Sequence, residues 1–109
     1  MNLNEYQEKA LSTAIFKEEH KFLYPALKLA GEAGEVAEKV GKVLRDRDGN
    51  FDDLDVRTDL VKELGDILWY VAALAHSLDT TLEQVAMINI LKLASRAKRG
   101  QIHGSGDDR

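Results

Sequence analysis

The chain has no cysteine and a single proline among its 109 residues. Without cysteine there is neither a disulfide framework nor a thiolate metal site, so any bound metal must rely on oxygen or histidine donors. With one proline, long stretches of good helix formers run unbroken. A basic excess is also missing: the net charge is −4 with 31% charged residues, which excludes the cationic footprint of a nucleic-acid binder. No apolar run approaches the roughly 20 residues that span a bilayer, and MNLNEYQEKA at the N-terminus has no apolar signal region. These absences lead us to expect a cytoplasmic protein of one domain, with no membrane or nucleic-acid partner. Its size makes self-association an option from the start.

What is present is helical periodicity. Apolar residues at Leu3, Tyr6, Ala10, Leu11, Ala14 and Ile15 predict a first helix over about Leu3 to Lys17. Pro25 suits a helix start, and Leu29, Ala30, Ala33, Val36, Ala37, Val40, Val43 and Leu44 place a broad apolar face on a second helix over about Pro25 to Leu44. The Asp-rich stretch Asp46 to Asp55 reads as a solvated connector. Its glycine and Arg57 stand at the wrong positions for a calcium loop. A third helix over about Val56 to Leu78 carries the stripe Leu60, Leu64, Ile67, Leu68, Val71, Leu74, Ala75 and Leu78. Thr81 and Gln84 fit a capping box that opens a fourth helix, running to about Lys98. The expectation is an all-α, four-helix bundle-like domain over residues 1–98 with a glycine-rich tail, 99–109.

Two carboxylate pairs stand out, Glu32 with Glu35 and Glu63 with Asp66, each three residues apart and so on one helical face. Both pairs border the apolar faces of their helices. If the two helices pack antiparallel, the acidic stripes converge, and like charges about 4 Å apart repel by roughly 1 to 4 kcal/mol unless a cation intervenes. Surface pairing is the competing account. Lys28 stands four residues before Glu32 and Lys39 four after Glu35, whereas the three acids Asp59, Glu63 and Asp66 have only Lys62 near them on their own helix, next door to Glu63, and are under-compensated. Gly31, Gly34 and Gly65 sit beside the acids at roughly 1 kcal/mol each against alanine, fitting either close approach around a ligand or tight helix packing. Carboxylate-only ligation selects Mg²⁺ or Mn²⁺, and Mg²⁺ suggests phosphates. Asn89, Lys92 and Arg96 then offer a polar and cationic stripe on the fourth helix.

The segments KLAGEAGEVAEKVGK, KELGDILWYVAALA and NILKLASRAKRGQIHGSGDDR resemble the MazG-like all-α nucleoside triphosphate pyrophosphohydrolases, in their short single-domain bacterial and phage form. The motif order, with 27 residues between Glu35 and Glu63, and the Asn-x-x-Lys that follows make the likeness specific. The resemblance implies a homodimer or homotetramer that cleaves a (d)NTP between the α and β phosphates, giving the monophosphate and pyrophosphate. It implies Mg²⁺, with Mn²⁺ as substitute, on Glu32, Glu35, Glu63 and Asp66, and a water oriented or deprotonated by Glu35 or Glu38. Lys28, Tyr70, Asn89, Lys92 and Arg96 are the substrate-binding candidates. A catalytically silent helical module that binds nucleotides or a protein is the alternative. Trp69 falls on the outer side of the third helix with His76, which suggests a subunit interface more than base stacking. Gln7 and Leu11 are placed in packing ahead of base contact. The tail either folds over phosphates through His103, Gly104, Asp107 and Arg109 or frays.

Overall fold

The first helix, α1 (Leu3–Leu11), opens on Asn2, whose side chain accepts from the Glu5 N–H. It stops short of the expected Lys17. Thr13 donates both its N–H (3.1 Å) and its hydroxyl (2.7 Å) to the Ala10 carbonyl, and the Ser12 hydroxyl donates to Lys9 O at 2.6 Å. The Trp69 indole N–H donates to the same Ala10 oxygen at 3.1 Å. The carbonyl that a further α-turn would use is thereby taken, which local hydroxyl competition does at helix ends. After a single 3₁₀ turn at Glu18–His20, α2 spans Leu23–Asp46. Pro25 lies inside its first turn, where a missing N–H costs nothing, and is fully buried.

The α2–α3 connector turns through Asp48 and Gly49, both at positive φ (52° and 71°). Its acids pair with arginines, Arg47 with Asp53 at 3.1 Å and Arg57 with Asp52 at 2.9 Å. Helix α3 (Leu54–Ser77) is capped by Asp53, whose carboxylate accepts from the N–H groups of Asp55 and Val56. The Val56 N–H, with help from Asp55 and Arg47, holds this carboxyl below the usual carboxylate range. A depressed folded value means that the cap's contribution is complete at neutral pH and is lost as pH falls through that value. Asp53→Ala should lower the midpoint of a thermal melt at pH 7, with Asp53→Asn staying close to wild type. Helix α4 (Leu82–Arg99) starts on the Thr81–Gln84 capping box and ends at Gly100 in the left-handed region, φ 70°.

The computed structural model describes residues 1–109, all helix, turn and loop. Helices α2 and α3 form a long antiparallel hairpin, while α1 and α4 pack on α3 and on each other. Gln7 ties these parts together. Its amide donates to Ala72 O (3.1 Å) and Thr80 O (3.3 Å) and accepts from the Leu82 N–H (3.1 Å), so a side chain of α1 caps α4 from outside. The small residues Ala72, Ala73 and Ala75 of α3 are buried at this junction.

Much of the expected core stays open within one chain. Leu44, Leu64 and Leu78 are exposed, and so are Ala30, Ala33 and Ala37. Helix α4 leaves Ile88, Ile90 and Leu91 at the surface. The radius of gyration is 16.7 Å, against about 13 Å for a compact domain of this length. Helical period fixes which residues share a face but not what covers it. A Cβ added at Gly31, Gly34 or Gly65 would meet nothing within 4 Å, so within one chain these glycines serve neither close packing nor close approach.

Candidate metal centre and aromatic cleft

The antiparallel hairpin brings the acidic stripes together. Glu32 from α2 and Glu63 and Asp66 from α3 each place a carboxylate oxygen within 4.8 Å of the others. Glu32 and Glu63 are half-buried and Asp66 is exposed, so the cluster opens to solvent on one side. The donors are all carboxylate oxygens, which fits a hard cation with oxygen ligands at roughly 2.0–2.6 Å and excludes a zinc site built on nitrogen and sulfur. The chemistry of the residues present therefore suits Mg²⁺ or Mn²⁺. Glu35, one turn from Glu32, is exposed, makes no ion pair and stands outside the three-carboxylate group. Glu38 is exposed as well and pairs with Lys42 at 3.5 Å.

Lys39 corrects one expectation. Instead of pairing along α2 with Glu35, its ammonium crosses to α3 and contacts Asp59 Oδ1 at 2.8 Å and Glu63 Oε1 at 2.7 Å. The α3 stripe thus does have a partner, supplied by the opposite helix and invisible to helical spacing. Hydrogen bonds to Asp59 and Glu63 push the Lys39 pKa above the ordinary lysine range.

Beside the cluster lies a cleft of about 650 Å³ lined by Phe16, Tyr24, Trp69 and Tyr70 together with Glu32 and Asp66. Its aromatic wall is continuous: ring centroids lie 5.5 Å apart for Phe16 and Tyr24, 6.4 Å for Tyr24 and Tyr70, and 4.9 Å for Trp69 and Tyr70. Burial, then the neighbouring Tyr24, Glu32 and Asp66, raises the Tyr70 phenol. Tyr6 is raised by burial and then by Asp66. Trp69 is half-buried, with its N–H on Ala10 O and on Thr13 Oγ1 at 3.2 Å, and does not face outward as its position on the helix suggested. The cause is the early end of α1, which bends the chain back over α3. Phe16, Tyr24, Lys17 and His20 also line this cleft and were not picked out from sequence. The aromatic-rich word FKEEHKFLYP just ahead of the first acidic motif was the available signal.

The α4 candidates do not join this cleft within one chain. Asn89, Lys92 and Arg96 are absent from its lining. Arg96 is only 5% exposed and lies under the tail, donating to Asp107 O at 2.7 Å. Lys92 reaches Asp107 Oδ1 at 2.9 Å, and its hydrogen bond is the main cause holding that carboxyl below the usual range. The tail folds on itself as Arg109 donates to the carbonyls of Gln101, Ile102 and Gly106. A Cβ on Gly104 would come within 2.7 Å of Arg109 Cδ. Lys28 is exposed on α2 and forms no ion pair.

The chain is thus all-helical, with a carboxylate cluster on two antiparallel helices and an aromatic cleft beside it. The sequence profile of the MazG nucleotide pyrophosphohydrolase domain matches residues 19–100, and the chain belongs to that family. It is 46% identical over 115 aligned residues to the "Gene 37 protein" of Mycobacterium phage L5, with both chains covered in full. No solved structure matches it. No helix is long and apolar enough to cross a membrane.

Proposed function

We propose that the protein hydrolyses a (d)NTP between the α and β phosphates, releasing the monophosphate and pyrophosphate, and so clears or adjusts a cytoplasmic nucleotide pool. The observation that carries this reading is the carboxylate cluster of Glu32, Glu63 and Asp66, two of whose members, Glu32 and Asp66, line the same cleft as the aromatic wall. These three would hold Mg²⁺, or Mn²⁺ in its place, with Glu35 joining from the next turn. When bound, the cation neutralises charge on phosphate oxygens and lowers the pKa of an attacking water.

The chain's own residues do the rest. Tyr70 and Trp69, with Tyr24 and Phe16, offer π faces for the base and exclude water from one side of the cleft. Glu35 is better suited than Glu38 to accept the proton of the water, since it lies one turn from Glu32 and Glu38 nearly two. Lys28 lies one turn before Glu32 on the same helix and is available to phosphate oxygens. Asn89, Lys92 and Arg96 reach a nucleotide only from another copy of the chain or after the tail moves. The exposed apolar faces of α3 and α4 support a homodimer or homotetramer.

The experiment is to incubate purified protein with each (d)NTP and Mg²⁺, and again with EDTA, and to follow loss of triphosphate. Turnover that EDTA abolishes is expected. Metal-dependent nucleotide binding with no turnover would mark a silent binding module instead.

A further inference from the structure

Lys39 is placed by the same geometry that builds the acidic cluster. On α2 it follows Glu32 by seven residues, two turns along, and so shares its stripe to within about 20°. On α3, Asp59, Glu63 and Asp66 form the facing stripe. The antiparallel hairpin therefore sets Lys39 against Asp59 and Glu63 at one end, and Glu32 against Glu63 and Asp66 at the other. Glu63 belongs to both groups. Its side chain is 14% exposed, that of Lys39 is 28%, and one of its oxygens is already bound by the ammonium.

We infer that Lys39 is the internal counter-ion of this cluster: it neutralises Glu63 when no divalent cation is present and competes with a cation for that carboxylate. The inference rests on reading Glu32, Glu63 and Asp66 as a metal site. A half-buried carboxylate converging on two others is unfavourable without positive charge nearby, and Lys39 supplies that charge from within the chain. When a divalent cation enters, the same ammonium is a like charge beside it and weakens its binding. Lys39 thereby lets the hairpin form without metal and holds metal affinity below what three carboxylates alone would give. A merely structural clamp between α2 and α3 would behave differently. Removing it would destabilise the metal-free and metal-loaded protein alike.

The test uses the full chain with Lys39→Met, which keeps the apolar stem and removes the charge, and Lys39→Gln as a second variant should the first fold poorly. Free Mn²⁺ is measured by electron paramagnetic resonance during titration, and melting curves are taken in EDTA and in saturating Mn²⁺. Both variants are expected to bind Mn²⁺ on the order of tenfold more tightly than wild type and to melt lower in EDTA, with most of that loss recovered in Mn²⁺. Lys39→Arg should stay near wild type. Unchanged or weaker Mn²⁺ binding in the uncharged variants, or an equal loss of melting temperature with and without Mn²⁺, would overturn the competition. Glu32→Gln separates this failure from that of the site itself: if it leaves wild-type Mn²⁺ binding intact, the cation binds elsewhere and both readings fall.

Discussion

Replacing Glu32 by glutamine or Asp66 by asparagine is expected to lower triphosphate turnover by about 10²- to 10³-fold while leaving the helical fold in place. Each change keeps the side chain's size and removes one negative charge from the group of oxygens that converge within 4.8 Å. Neither residue is held by an ion pair, so no buried partner is left uncompensated. Asp66 is also exposed, which makes its replacement the gentler one structurally. The check is kcat for Mg²⁺-dependent loss of triphosphate, alongside a melting curve for each variant. A variant with full turnover, or one that loses turnover only because it unfolds, would not support the site. Glu35→Gln should also reduce turnover if Glu35 acts on the water, and Glu38→Gln much less, because Glu38 lies a further turn from Glu32.

The largest loss of stability is expected at Gln7→Ala. The change removes three hydrogen bonds and leaves the Thr80 carbonyl and the Leu82 N–H without their partner, while the Ala72 carbonyl keeps its bond within α3, in the part of the molecule where α1, α3 and α4 meet. Gln7 itself is 6% exposed, so water does not readily replace it. With unsatisfied buried groups at about 1–3 kcal/mol apiece and incomplete additivity, the loss should be roughly 2–4 kcal/mol. Out of a total of roughly 5–15 kcal/mol, that is a large fraction. Thermal unfolding should show a midpoint lowered by roughly 10 to 20 °C. Gln7→Glu separates shape from hydrogen bonding, since it keeps the acceptor for Leu82 and loses the two donated bonds.

Local chemistry was legible in the sequence where it is decided locally. The Thr81–Gln84 capping box, the Asp-rich connector as a solvated loop and the four helices all follow from period and capping residues. The convergence of Glu32 with Glu63 and Asp66 was legible too, because two marginal stripes on antiparallel helices have few other places to go. Partnerships across elements were hidden. Helical spacing assigns Lys39 to Glu35, while the hairpin register assigns it to Asp59 and Glu63. Trp69 stands opposite the apolar stripe of α3, yet the end of α1 covers it, and the Thr13 and Ser12 hydroxyls that stop α1 six residues short of Lys17 compete through bonds no hydrophobic period records. Arg96 read as a phosphate ligand from its stripe, yet its guanidinium is engaged by Asp107, eleven residues on.

The open apolar faces have the same origin. Periodicity marks Leu64 and Leu78 as buried, and within one chain nothing covers them. In the homodimer or homotetramer proposed above, another copy would cover them.

The most direct test of the central claim is the product balance. The protein is incubated with each (d)NTP and Mg²⁺, and monophosphate, diphosphate, pyrophosphate and orthophosphate are separated and quantified. A cluster of Glu32, Glu63 and Asp66 that serves cleavage between the α and β phosphates predicts monophosphate and pyrophosphate in equal amounts, with little diphosphate. Diphosphate and orthophosphate as the main products would contradict it.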